Sequence, residues 1–358
     1  MKNLARRAAG FAAVLFTAVG AFCVAARLPE GVGQKAAAAA AGFILPAGNG
    51  DAFFYEEEEE DDGTVSSRAP ASSVPPASSA AGVSPASSAP SSSGSAVSSP
   101  ASSQAPNAKV LELNIGNSGT GVANFWVKNS TEKHGSIDFA KELKTAPALK
   151  AATSGAPQVL IYHTHTTESY DCVARSTDLT KTVCVVGDAI AAKLQSAGVG
   201  VVHDKTVHDY PAYDGSYDRS KVTMQQDLKK YPSIRVTLDI HRDAMHRTDG
   251  TMLKPVAVVN GKKAAQLMIL AGCDDDGTLG FPNWQQNLRL ALRLQQQLSS
   301  DWPGVARPLD FCARRYNEDL TTGSLLIEVG TDANTLSESQ YTGELLGSSL
   351  ARVLTALR

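Results

Sequence analysis

The chain has 358 residues, 19% of them charged and 43% hydrophobic, with a formal net charge of −3. That balance gives no electrostatic case for nucleic acid as a partner. Residues 1–106 differ from the rest in composition, which leaves one main folded domain on the usual prior of ~100–200 residues each.

Lys2, Arg6 and Arg7 precede an uncharged run from Ala8 to Ala26. A run of ~19 apolar residues is long enough to cross a bilayer as a helix, and basic residues on its N-terminal side predict that this end stays cytoplasmic. The competing reading is a cleaved signal peptide, whose apolar core is usually about 7–15 residues. The longer run favours a cytoplasmic tip and uncleaved single-pass anchor over residues 1–30, and either reading exports the rest of the chain. Residues 31–106 read as a disordered linker. An Ala-rich stretch (Ala36 to Pro46) leads to the acidic run Glu56 to Asp62, then to a segment made almost wholly of Ser, Ala, Pro, Val and Gly. Such a segment cannot bury enough apolar surface to offset chain entropy, and as a tether it reaches tens of ångströms from the membrane. Cys23 lies in the apolar run, and Cys172, Cys184, Cys273 and Cys312 follow it. No C-x-x-C pair occurs, which argues against a cysteine zinc site or a redox dithiol. Export permits disulfides, but the sequence does not pair these thiols.

Residues 107–156 form a lead-in segment. Val110-Leu111-Glu112-Leu113 alternates like a strand, and a second short strand is expected around Ala123 to Val127. From Pro157 to the C-terminus, strands and helices alternate. The apolar run ending at Tyr162 is a strand, Val183 to Ser196 a helix stopped by Gly198, Val199 to His203 a strand, and Ser216 to Lys230 a helix. Ile234 to Ile240 is a strand, and Val256 to Val259 and Gln266 to Ala271 flank Asn260-Gly261, a hairpin turn signal. Trp284, Leu288, Ala291, Leu294 and Leu298 mark an amphipathic helix, and Ser324 to Val329 a buried strand. Thr335 and Glu338 make a capping box for the last helix. This order predicts an α/β catalytic domain over residues 157–358, with a central, mostly parallel sheet covered by helices on both faces.

Three of its strands carry charged or ionisable residues. The first ends in His163-Thr164-His165-Thr166-Thr167-Glu168, the second contains Asp239 and runs into His241-Arg242-Asp243, and the third carries Glu328. Carboxyl ends of strands are where α/β folds collect ligands, and a buried charge is costly unless paired or bound to metal. His165, Glu168 and His241 suit a zinc ion with one position open for water, and Glu328 then serves as general base and acid. His163 ranks behind His165 as a ligand, and its alternative roles are to touch substrate or to support the site. Structural alternatives stand beside these roles: Glu168 caps the next segment, Asp239 orients a histidine or pairs with Arg242, and Glu328 pairs with an arginine such as Arg315. Tyr213 to Ser220 is a further polar cluster, at a helix start where Arg219 either contacts an acidic substrate or belongs to a turn. Arg242 is a second candidate contact for peptide carboxylates.

The motifs His163-Thr164-His165-Thr166-Thr167-Glu168-Ser169-Tyr170, Tyr217-Asp218-Arg219-Ser220, Leu238-Asp239-Ile240-His241-Arg242-Asp243-Ala244, Asn317-Glu318-Asp319-Leu320 and Leu326-Ile327-Glu328-Val329-Gly330 resemble the stage II sporulation protein P family, in its order and at fitting spacing. The resemblance covers roughly Lys109 to the C-terminus. It implies a fold similar to zinc-dependent N-acetylmuramoyl-L-alanine amidases and a peptidoglycan hydrolase that removes stem peptides and also cleaves peptide cross-links during sporulation engulfment. It further implies sporulation proteins D and M as partners and a place in the mother-cell or septal membrane, with the catalytic domain extracytoplasmic. His165 and His241 match the family's essential histidines. Muramoyl amidases carry a ligand glutamate on the helix after their first strand. Val183 to Ser196 holds no glutamate, which leaves Glu168 as its substitute. The competing functions are a metallocarboxypeptidase on free peptides, which needs an arginine cluster for the terminal carboxylate, and a non-catalytic wall-binding scaffold.

Overall fold

The structure is a computed structural model, and it describes residues 54–55, 108–149 and 155–357. The expected anchor, and the linker apart from Phe54 and Tyr55, lie outside those residues. Among the described residues no helix is long and apolar enough to cross a membrane.

In chain order the strands and helices begin with β1 (Phe54–Tyr55), β2 (Val110–Leu113), β3 (Thr120–Val122), β4 (Phe125–Asn129) and α1 (Phe139–Lys144). Next come β5 (Pro157–Tyr162), α2 (Val183–Ser196), β6 (Gly200–His203), α3 (Ser216–Lys230), β7 (Val236–Asp243) and β8 (Met245–His246). The chain continues through β9 (Met252–Val259), β10 (Lys262–Ala265), β11 (Leu267–Gly272), α4 (Trp284–Asp301), β12 (Leu309–Cys312), β13 (Ser324–Thr331) and α5 (Leu336–Ala356).

Eight strands form the main sheet in the order β3-β4-β12-β11-β13-β7-β5-β6. Its pairings are parallel except β3 with β4 and β11 with β13, so the expected mostly parallel sheet is the one that forms. Its central strands are buried along nearly their whole length, as a sheet with covered faces requires. β4 pairs with β12, so the lead-in segment contributes strands to this sheet.

The two faces carry different cores. Val159, Ile161, Leu238, Ile240 and Ile327 pack with residues of α2, α4 and α5 in the larger one. Leu160 and Tyr162, of opposite parity on β5, pack with Met224 of α3 and Ile234 in a smaller one, as period-two alternation dictates. α2 starts where Thr182 accepts a hydrogen bond from Cys184 N, and α5 where Thr335 and Glu338 close a capping box.

A second sheet of five strands contains β1, β2, β8, β9 and β10, a separate layer that the strand and helix order does not predict. Asn260 and Gly261 make the expected tight turn, with φ of 49° and 76°. The strand after the turn differs from expectation. Lys262–Ala265 pairs back with β9, whereas Leu267 onward crosses into the main sheet. Gln266 is the crossing point: its buried side chain accepts from Ile115 N and donates to the carbonyls of Ile115 and Gly304. Those bonds satisfy backbone groups of Ile115 and Gly304 beside the crossing.

Candidate active site

β5 stops at Tyr162 and the chain turns through Thr164 to Thr167. Alternation ends with the strand, so His163 and His165 part company. His163 is fully buried, with Nδ1 2.8 Å from the carbonyl of Ile240 and Nε2 2.9 Å from Nε2 of His203. Burial, then the neighbouring His203 ring, pushes its pKa down to about 3. It thus lies on the α2 side, away from the other candidates. His165 sits in the turn on the α3 side. Its ring stacks on Tyr213 at 4.3 Å and crosses the ring of His241 at 5.2 Å. Its Nε2 lies 3.1 Å from the Tyr213 hydroxyl, while Nδ1 is buried without a partner. Burial, then His241, holds this imidazole well below its usual pKa.

Glu168 closes the turn. Its Oε2 accepts from the backbone N–H of Arg242 at 3.0 Å and lies 3.6 Å from His241 Nδ1. The other face of His241 meets Asp239, with Nε2 2.9 Å from Oδ1. Burial opposes a charge on His241, but Asp239, then Glu168 and Glu328, outweigh it and raise the imidazole to about 10. Burial raises the carboxyl of Glu168 against the pull of Arg242 and His241. A carboxylate has no proton to give. Nε2 does not meet hydrogen-bond geometry, but with the Asp239 acceptor on that side a neutral His241 that keeps its proton on Nε2 turns a lone pair on Nδ1 towards Glu168. Two buried lone-pair donors 3.6 Å apart need a cation between them, either a proton or a metal. That separation suits two ligands on one tetrahedral ion with bonds of about 2.1 Å.

Glu328 is the register partner of His241 on the neighbouring parallel strand, so both side chains leave the same face of the sheet. Its Oε2 is buried and has no hydrogen-bond partner. Burial is the main reason its carboxyl is pushed up to about 8, with His241 pulling down and Asp243 and Glu168 pushing up. The guanidinium acting on it is that of Arg307, which donates to Asp243 at 2.8 Å. Arg315, the sequence's candidate partner, donates to the carbonyl of Leu279 instead.

The two candidate substrate arginines face the protein's own backbone. Arg219 donates to the carbonyls of His208, Asp214, Ala212 and Tyr213. Arg242 donates to those of Ser169 and Ala174 and lies 3.8 Å from Glu168. The residue that sequence reasoning overlooked is Tyr213, held between the ring of His165 and the guanidinium of Arg175, 4.6 Å from its centroid. Its signal was the aromatic pair Tyr213 and Tyr217, one just before α3 and one in its first turn.

Among the described residues, one group of His, Cys, Asp or Glu holds three ligand atoms within 4.8 Å of one another, and it is His134, Cys273 and Asp275. Each member already has a structural task. Asp275 accepts from the backbone of Glu132 and Lys133, and His134 contacts the carbonyl of Asp274 and packs on Trp284. Burial, then Asp275 and Asp274, pushes the Cys273 thiol up to about 12. Cys172, Cys184, Cys273 and Cys312 are all free. His165, Glu168 and His241 do not reach 4.8 Å as a set, but they share one buried wall and a nitrogen, oxygen and nitrogen donor set suited to zinc.

A model of the family described as stage II sporulation protein P matches residues 86–354. The chain belongs to that family. Among curated proteins, stage II sporulation protein P of Bacillus subtilis is 29% identical over 211 residues, 53% of this chain and 49% of the relative. The chain therefore spans about half the length of that member of the stage II sporulation protein P family. Solved structures similar to this chain include the N-acetylmuramoyl-L-alanine amidase AmiC2 of Nostoc punctiforme, with 14% identity, a TM-score of 0.34, and coverage of 57% of this chain and 98% of that one. Another is the N-acetylmuramoyl-L-alanine amidase of Clostridium difficile 630, with 20% identity, a TM-score of 0.35, and coverage of 57% and 97%.

Proposed function

We propose that this chain is a zinc-dependent peptidoglycan hydrolase of sporulation that cleaves the amide between N-acetylmuramic acid and L-alanine. The observation that carries the reading is the buried pair of Glu168 Oε2 and His241 Nδ1, 3.6 Å apart, with Glu328 on the adjacent strand. His165, Glu168 and His241 would hold the ion, which supplies Lewis-acid polarisation of a carbonyl and acidification of water. The chain's own contribution is Glu328. An unpartnered Oε2 in a buried setting is placed to take a proton from water and return it to the leaving amine, and a carboxyl pushed up to about 8 is matched to both duties near neutral pH. Tyr213 and Tyr217 flank His165 and keep bulk water from that side of the wall.

The same reading makes the protein an exported, single-pass membrane protein acting in engulfment, with some activity on peptide cross-links and with sporulation proteins D and M as partners. A carboxypeptidase needs guanidinium groups turned to the substrate's terminal carboxylate, and those of Arg219 and Arg242 are turned to backbone carbonyls. The test is digestion of purified sacculi beside free stem peptides, with products resolved by mass. Stem peptides beginning at alanine, released from intact glycan, are expected. Trimming of free peptides with sacculi untouched would sink the amidase reading.

A further inference from the structure

We propose that Asp239 is the positioning residue of this site, fixing which nitrogen of His241 faces Glu168 and tying the His165 turn to the same strand. The proposal rests on the metal-site reading above for its use, and on the following contacts for its geometry.

Asp239 is 1% exposed, and both its oxygens are engaged. Oδ1 accepts from Thr164 N at 2.8 Å and lies 2.9 Å from His241 Nε2. Oδ2 accepts from the Thr164 hydroxyl at 2.6 Å. That hydroxyl is also 2.8 Å from the Ser220 hydroxyl, and Asn317 Nδ2 donates to Ser220 at 3.1 Å and to the carbonyl of Tyr217 at 2.9 Å. One carboxylate thus joins three pieces of chain: the turn after β5, the first turns of α3 and the end of β7. Thr164 precedes His165 directly, so the anchor that sets the His241 ring also sets where the His165 turn leaves the sheet. A metal-bound histidine takes its tautomer from the partner of its other nitrogen, and loss of such a partner lowers metal affinity by roughly 10–100-fold.

Two variants separate positioning from bulk stability. Asp239→Ala removes the acceptor beside His241 Nε2 together with both acceptors of Thr164, so nothing on that side fixes the tautomer. Ser220→Ala leaves Asp239 in place and removes one support of Thr164. The measurements are histidine nitrogen NMR on metal-free and zinc-loaded full-length protein, and zinc affinity by competition with a chelating dye. In the wild type, His241 Nε2 is expected to keep its proton in both states while the Nδ1 resonance moves on adding zinc. Asp239→Ala is expected to lose this pattern and to weaken zinc binding roughly 10–100-fold, with a smaller loss for Ser220→Ala. An Asp239→Ala protein that folds, keeps the wild-type nitrogen pattern and binds zinc equally well would overturn the proposal, as would a wild type in which Nε2 gives up its proton to zinc. If the wild type binds no zinc, the metal reading fails, and a metal-free Asp239→Ala protein whose His241 resonances match the wild type then overturns the role of Asp239.

Discussion

Glu168 Oε2 and His241 Nδ1 face each other across 3.6 Å in a buried wall. A proton between them can be replaced by a divalent ion, so the folded chain should be stabilised by zinc and the unfolded chain much less. At zinc 1,000-fold above its dissociation constant, linkage gives about 4 kcal/mol, which is roughly 8–16 °C in Tm for a fold of this size. Thermal unfolding with and without zinc, then with a chelator, checks it. Glu168→Gln should lose most of the increment, and an unchanged wild-type Tm would remove the case for a metal here.

Glu328 has no partner for Oε2, and its task under the proposed function is proton transfer alone. Glu328→Gln keeps the shape and removes the base, so the rate of stem-peptide release should fall by roughly 100- to 10,000-fold. Zinc content per chain should stay the same. Loss of zinc in this variant would make Glu328 a ligand and Glu168 the base.

The strand and helix order was legible because the physics is local. α2 and α3 occupy the spans that periodicity and Gly198 marked, and Thr335 with Glu338 caps α5 as its pattern required. The places where reading failed are those governed by long-range pairing. Nothing around Gln266 shows that the chain changes sheets there, because the hydrogen bonds involved come from Ile115 and Gly304. The two histidines of the first motif alternate in sequence, yet a turn between them sends His163 to His203 and His165 to Tyr213. Asp239 looked equally suited to a histidine or an arginine, and only the fold shows that His241 and Thr164 surround it.

His163 gives a pH dependence with a definite sign. Its folded pKa is about 3, against an ordinary value of 6.5. Between those values the unfolded chain binds the extra proton, so stability increases as pH rises through this window and is lost as pH falls from 6.5 towards 3. The size is at most a few kcal/mol. Urea midpoints at pH 7 and pH 5 test it in the metal-free protein. His163→Gln should be less stable than wild type at pH 7 but change less between the two pH values, and an equal change in both proteins would rule out this histidine as the source.

The same buried pair predicts why α2 carries glycine at position 187. A Cβ there would lie 2.5 Å from His203 Nε2 and 3.1 Å from His163 Nε2, and the two rings are held to each other at 2.9 Å and to Ile240 and Asp188 beyond. Neither ring has a free direction in which to yield, so Gly187→Ala should act as overpacking and cost about 1–3 kcal/mol, despite the better helix propensity of alanine. Removing the obstructing ring should reverse the sign of the substitution. In a His203→Ala background, Gly187→Ala should be neutral or stabilising by up to ~1 kcal/mol. The coupling read from the four urea midpoints is the quantity of interest, because a helix-propensity effect alone would be the same in both backgrounds.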